Sequence, residues 1–314
     1  MDINNWEIPA VPDGWIWQDI GNYYGAAPQL LNWRENQFDI FLKSGKKIGD
    51  IVEVIGMDPI VSMHGIESFV TSAAKGTGDN AYIYFQANND YSYNVFIKGT
   101  IPVNEDNFHI SGALLSPKDI FAKLLFDSLG ERFSIRPSSS RLHWLPYNEK
   151  AKIIYTEVSP TLDSIIYWFL KKSINLYGEA LIKTFAYEKK GFGSTDSGVV
   201  IVKDFWKEKG LDEDELNIVD GSGLSPLNRI TTHAQVEILK YAKNRDWFPY
   251  FYDALPEYNN IKMKSGTISG VKGFAGYHTS KNGNEYIFSF LVNNYNGSPS
   301  ALVDKMYRVL NSLK

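Results

Sequence analysis

The chain has 314 residues, 44% of them hydrophobic and 22% charged, enough for a sizeable core and for two domains. A formal net charge of -4 supplies no basic footprint, which argues against a nucleic-acid partner. The lack of cysteine excludes disulfides, thiolate metal sites and cysteine nucleophiles; no apolar run reaches the roughly 18 residues of a membrane helix, and Met1-Asp2-Ile3-Asn4-Asn5 has no export-signal pattern.

The first half carries strand signals. "NQFDIFLKSGKKIGDIVEVI" reads as two strands around a Ser44-Gly45-Lys46-Lys47 turn, and "NAYIYFQANNDYSYNVFIKGTIPV" as two more around Asn88-Asn89-Asp90, giving a hairpin-built, antiparallel region. Between them, "GIESFVTSAAKG" reads as a short helix with Ser72 and Lys75 on one face. "SPKDIFAKLLFDSLGERF" follows as a helix capped at Ser116, with Pro117 at its first position and apolar residues at helical spacing. A turn-rich "RPSSSRLHWLPYNEK" and a strand-like "AKIIYTEV" then lead to a domain boundary near residue 155.

From Ser159 the pattern turns helical, in "SPTLDSIIYWFLKKSINLYGEALIKTFAYEKK", "SGVVIVKDFWKEKGL" and "THAQVEILKYAKN", with "GFGSTDSG" as a loop between helices. Strands return in "IKMKSGTISGVKGFAGYHTSKNGNEYIFSFLVNNY", where Lys281-Asn282-Gly283 marks a hairpin turn. Asn296-Gly297-Ser298 reads as a turn, and a last helix runs from Ser298 to about Leu313. Helices followed by strands predict an α+β domain over residues 156–314, after a mainly β region over 1–155.

Three short motifs occur in fixed order in the second half: Ser173-Ile174-Asn175, "DGSGLSPLNR" from Asp220 to Arg229, and Lys264-Ser265-Gly266-Thr267. Taken singly, each has a structural explanation. Ser173 and Asn175 suit a polar cap between two helices, and Lys264 suits an edge-strand lysine that opposes aggregation. Asp220-Gly221-Ser222-Gly223 lacks the Gly-Lys-Ser/Thr of a phosphate loop and reads as a tight turn that buttresses a cleft. Taken together, an ammonium, two hydroxyls and an amide suit acyl transfer through an anionic tetrahedral intermediate. His64, His109, His143, His233 and His278 show no ligand spacing, so no metal is expected.

With their surroundings, "PDGWIWQDIGNYYGA", "SPTLDSIIYWFLKKSINLYGEAL", "VDGSGLSPLNRIT" and "MKSGTISGVKGFAGYHTSKNG", these motifs resemble the class C, low-molecular-weight penicillin-binding proteins, the D-alanyl-D-alanine carboxypeptidase/endopeptidase family. The resemblance runs over nearly the whole chain. It implies a β-lactamase/transpeptidase-like domain, an antiparallel sheet flanked by helices, with its C-terminal part in 156–314 and mainly β inserted accessory domains in 1–155. It implies a serine-type hydrolase without a cofactor, an envelope or periplasmic address, a peptidoglycan stem peptide ending in D-Ala-D-Ala as substrate, and β-lactam binding in the full-length protein. By position, Asn175 would face the substrate amide, Ser173 would relay a proton to the leaving amine, and Lys264 would serve that relay and the terminal carboxylate. Ser265 would hold the same carboxylate, Gly266 would leave room for the peptide, and the Thr267 N–H would be an oxyanion donor.

The family's third signature, a Ser-x-x-Lys at the start of a buried helix, has two weighed candidates. Ser44-Gly45-Lys46-Lys47 reads as a solvated turn. Ser72-Ala73-Ala74-Lys75 would stand at a helix end, ahead of Gly76-Thr77-Gly78. The expectation is a chain without its acylating serine; the alternative is a non-catalytic homologue that binds peptidoglycan peptides.

Overall fold

A computed structural model describes residues 5–8, 10–60, 66–87, 93–133 and 155–314. The chain divides into two compact units, residues 1–152 and 153–314. His64, His143, the Asn88-Asn89-Asp90 turn, "RPSSSRLHWLPYNEK" and residues 151–154 of the expected strand lie outside the described residues, and Tyr155–Val158 form no strand. Among the described residues no helix is long and apolar enough to cross a membrane.

The first unit opens with a short helix α1 (Trp17–Ile20) and continues through β1 (Gln37–Lys43), β2 (Glu53–Asp58), β3 (Ile66–Ala73), β4 (Asn80–Ala87), β5 (Tyr93–Pro102), β6 (Phe108–Ala113) and helix α2 (Pro117–Phe133). The strands make two three-stranded sheets, ordered β2-β1-β6 and β3-β5-β4. Phe38, Ile40 and Leu42 alternate inward on β1 and share one apolar cluster with Val70, Ile83, Val95, Ile97 and Ile110, so each sheet covers the inner face of the other. Asn22 links them: its Oδ1 accepts from Ile83 N at 2.9 Å, and its backbone bridges to Gly112.

Both expected hairpins form, but the stretch between them is not a helix. Val70 and Ser72 are buried at two-residue spacing, and β3 lies parallel to β5 rather than antiparallel. Ile66, Phe69, Val70 and Thr71 suit a pleated surface, and that outweighs the helical preference of the Ala73-Ala74 pair.

The second unit contains α3 (Leu162–Lys172), α4 (Asn175–Lys190), α5 (Thr195–Glu208), the two-residue strands β7 (Leu216–Asn217) and β8 (Arg229–Ile230), α6 (Thr232–Lys243) and α7 (Phe248–Ala254). It ends with β9 (Glu257–Tyr258), β10 (Ile261–Ile268), β11 (Val271–Thr279), β12 (Glu285–Asn293) and α8 (Pro299–Leu310). The antiparallel sheet runs β12-β11-β10-β9. Ile261, Met263 and Phe274 pack against Met306 and Leu310 of α8, while Tyr277, Ala275 and Ile287 pack against Leu239 of α6 and Phe248 and Phe251 of α7. Helices therefore cover both faces, and each fully buried large side chain contributes about 1.5–3 kcal/mol. Two local expectations shift. "GFGSTDSG" is only half loop, because Ser194 caps α5 by accepting from Ser197 N, and α7 joins the helices read from the sequence. Ser298 caps α8, as the turn before it suggests.

Candidate active site

The site grows from a break between two helices. α3 ends at Ser173, which adopts the left-handed conformation (φ 57°, ψ 48°); Ile174 is extended, and Asn175 begins α4. A non-glycine residue in that region is held there against about 1 kcal/mol or more of intrinsic preference. The break leaves Ser173 exposed at the tip between two rigid helices, where Lys264 of β10 reaches it. Lys264 Nζ donates to Ser173 Oγ at 2.8 Å and to the Ser265 carbonyl at 2.8 Å. Burial, and then the nearby Lys272 ammonium, push the Lys264 ammonium down to about 8.

Beside this pair, β10 has an edge with no strand partner past the end of β9 among the described residues of its unit. β9 pairs only with Ile261 and Lys262, and Met263 N donates outward to Pro256 O at 3.0 Å. N–H groups alternate sides along a strand, so those of Ser265 and Thr267 also point outward, past the end of β9. The other edge is fully laddered to β11, with Ser265 opposite Phe274, Gly266 opposite Gly273 and Thr267 opposite Lys272. Gly266 is exposed, and a Cβ built on it would meet nothing within 4 Å. The protein's own packing therefore does not require that glycine. Lys272 Nζ donates to Thr267 Oγ1 at 2.6 Å, and burial lowers its pKa as well.

The glycine-rich loop is tied to the helix that Asn175 starts. Glu179, one turn along α4 and fully buried, accepts from Gly221 N at 3.1 Å and Ser222 N at 2.8 Å. Asp220, also buried, accepts from Gly223 N and Ser225 N at 2.7 Å and from Asn228 Nδ2 at 2.9 Å, so it closes the turn from inside. The backbones of Gly178 and Gly221 approach so closely that a Cβ on either would strike the other's carbonyl oxygen. Burial first, then the Asp220 charge, raise the Glu179 carboxyl to about 7 against the pull of those N–H donors. Asp220, Gly221, Ser222 and Gly223 thus form a brace on α4 rather than a phosphate cradle. Among the described residues no cluster of three or more His, Asp or Glu side chains is placed to hold a metal ion.

The sequence profile of the D-Ala-D-Ala carboxypeptidase 3 (S13) family matches residues 1–312. The chain belongs to that family. It is 24% identical over 306 residues to the D-alanyl-D-alanine carboxypeptidase DacB of Haemophilus influenzae, an alignment covering 90% of this chain and 62% of that protein. It is 29% identical over 178 residues to the D-alanyl-D-alanine carboxypeptidase of Actinomadura sp. (strain R39), covering 50% of this chain and 33% of that one. The chain thus spans less than two thirds of the length of either relative. The crystal structure of penicillin binding protein 4 (dacB) from Haemophilus influenzae matches with a TM-score of 0.77 at 19% identity, over 99% of this chain and 73% of that one. The same protein complexed with a novel β-lactam matches at 0.69 and 20% identity, over 92% and 70%. These likenesses establish the fold: the mixed helix-and-sheet architecture expected from the sequence.

Within this S13 chain no Ser-x-x-Lys match begins a helix. Ser72 is in a strand, 1% exposed, and its Oγ accepts from Gly45 N at 2.9 Å, while Lys75 is exposed in the following turn. Ser72 therefore stands at neither end of a helix, and its hydroxyl closes the Ser44-Gly45 bend. Ser44 itself is buried and accepts from Glu105 N at 2.9 Å, so only the lysines of that turn are solvated. A third match, Ser269-Gly270-Val271-Lys272, spans the β10–β11 turn, with Gly270 at φ +71°. Reading by motif missed Lys272, Glu179 and the fully buried Lys183. A signal existed for the last two, which occupy the stripe of α4 shared by Leu176, Ile182 and Ala186.

Proposed function

We propose that this chain forms the substrate-binding and proton-relay part of a serine D-Ala-D-Ala carboxypeptidase/endopeptidase that acts on peptidoglycan stem peptides through an acyl-enzyme. Residues 156–314 would be the C-terminal part of its transpeptidase-like domain, and 1–155 its mainly β inserted accessory domains. The observation that carries the reading is the 2.8 Å bond from Lys264 Nζ to Ser173 Oγ beside the free edge of β10.

A stem peptide laid along that edge takes main-chain hydrogen bonds from the strand, and Gly266 leaves the space its backbone needs. The Thr267 N–H points at the substrate carbonyl and serves as an oxyanion donor. Ser265 and Lys264 hold the terminal carboxylate, and the Asn175 amide takes the amide of the penultimate residue. When the tetrahedral intermediate collapses, the C–N bond to the terminal D-alanine breaks, Ser173 Oγ passes its proton to the departing amine, and Lys264 returns one to Ser173. Such a protein works outside the cytoplasmic membrane, where its substrate lies, and β-lactams would occupy the same edge.

The reading assigns no acylating serine within these residues, because none of the three Ser-x-x-Lys matches begins a helix. Intact-mass analysis after incubation with a labelled penicillin tests this: the 314-residue chain is expected to stay unmodified, and a stable adduct on any of its serines overturns it. The same observation favours a second reading, a non-catalytic homologue that binds stem peptides. A Ser-x-x-Lys encoded ahead of Met1 selects the enzyme, and its absence selects the binding protein.

A further inference from the structure

Two partly buried ammonium groups, Lys264 on β10 and Lys272 on the laddered neighbour β11, are close enough for one to bear on the other. Lys264 leaves β10 toward Ser173 and folds back to the Ser265 carbonyl, which is on the outward edge. Lys272 comes from the neighbouring strand, directly opposite Thr267 in the ladder, and its Nζ donates to Thr267 Oγ1 at 2.6 Å. Its Nζ also lies over the Phe274 ring, 5.1 Å from the centroid, which restricts where the head can lie. Burial acts on both ammonium groups, and among the described residues no acidic side chain offsets it. Two like charges partly withdrawn from water with no counter-charge are costly unless an anion arrives from outside.

We propose that Lys272 is a specificity-determining residue for the carboxylate end of the substrate. With Thr267 Oγ1 it forms a second cationic arm beside Lys264 and Ser265, so the subsite takes a free carboxylate and discriminates against its neutral amide. The inference deepens the reading above and rests on it for the identity of the ligand, a peptide ending in a D-amino-acid carboxylate. Neither the Lys-Ser-Gly-Thr motif nor Ser173 contains this residue; the β10–β11 register puts it there. A bidentate carboxylate can accept from Lys264 and Lys272 at once, and Thr267 Oγ1 then turns to either.

Binding, without turnover, tests the arm. N-acetyl-D-alanyl-D-alanine and its C-terminal amide are titrated into the 314-residue chain by calorimetry, with the lysine ammonium resonances followed by NMR. The expected result is a preference of at least about tenfold for the carboxylate, weakening with added salt, and movement of both the Lys264 and Lys272 signals. Lys272→Met should cut that preference to about threefold or less while leaving affinity for the amide and the thermal midpoint unchanged, and Lys272→Arg should restore most of it. An undiminished preference in Lys272→Met, an equal loss for both peptides, or no saturable binding of either peptide overturns the proposal. Failure of the acyl-transfer reading looks different: no D-alanine is released by any form of the protein, while the carboxylate preference and its dependence on Lys272 persist.

Discussion

Lys264 Nζ donates to Ser173 Oγ at 2.8 Å, joining the sheet to the α3–α4 break across 91 residues of sequence. A hydroxyl that passes a proton and an ammonium that replaces it act as one unit, so their removal should not add. In a form of the protein that acylates, Lys264→Ala and Ser173→Ala are each expected to lower kcat/KM by about 100- to 1000-fold, with the double variant little worse than either. Single-turnover acylation by a labelled penicillin measures this. Full additivity in the double variant would show that the two side chains act separately.

The depressed Lys264 ammonium sets a pH window. Anion binding needs the charged form, and the free site loses its proton near pH 8, so affinity for N-acetyl-D-alanyl-D-alanine should hold below about pH 7 and fall above about pH 8. The stability contribution has the opposite sign. Between about 8 and the ordinary lysine value of 10.5 the folded chain binds fewer protons than the unfolded one, so this group adds stability as pH rises through that window. Calorimetry of the peptide and thermal melts across the same buffers check both slopes. Parallel pH profiles for binding and stability would contradict the assignment.

Gly266 separates folding from function. Its backbone is outside the left-handed region and a Cβ there meets open space, so Gly266→Ala should leave stability unchanged or raise it by up to about 1 kcal/mol. A methyl group on the free edge would intrude on any strand-like ligand. The expected outcome is a thermal midpoint at or above wild type with peptide affinity reduced about tenfold or more. Unimpaired binding in Gly266→Val would mean that the peptide does not run along β10.

Ser72 offers the converse case. Its Oγ takes the Gly45 N–H in a buried strand, so Ser72→Ala leaves that donor unpaired and should cost about 1–3 kcal/mol in denaturant unfolding. Peptide binding should be unchanged. A stability-neutral Ser72→Ala with lost acylation would restore Ser72 as a nucleophile.

Legibility followed the range of the forces involved. The helices around Ser173 and the hairpin at Gly283 were readable because helical periodicity and an Asn-Gly turn are local, whereas the turn at Gly270, which ends β10 at Ile268, carries no such pair and reads as continuous strand. β3 was misread because Ser-Ala-Ala-Lys resembles a helix over one turn, whereas β5 and the apolar cluster decide its state from a distance. α7 was missed because seven residues containing Pro249 and four aromatics carry no clear period. Lys272 became visible only through register: with Ile268 opposite Val271, counting back one pair places Lys272 opposite Thr267. Charge hid Glu179 and Lys183, since a glutamate and a lysine four apart usually mark a solvated helix face.

That buried glutamate gives a last measurable consequence. Glu179 lies under the Gly221-Ser222 turn with Asp220 beside it and Lys183 one turn away on the same buried face of α4. Its carboxyl is raised from 4.5 to about 7, so the stability linked to its protonated form is fully present below about 4.5 and is lost as pH rises through about 7. Glu179→Gln keeps the shape and one acceptor for the Gly221 and Ser222 N–H groups but has nothing to ionise. Wild type should therefore lose thermal stability relative to Glu179→Gln between about pH 5 and about pH 8, with the two melting curves converging or crossing at the higher value. Gly221→Ala probes the same brace without a charge; the clash with the Gly178 carbonyl should cost about 1–3 kcal/mol at every pH. If wild type and Glu179→Gln instead keep a constant gap across the range, the carboxyl is already ionised in the folded state, and Lys183 rather than burial governs it.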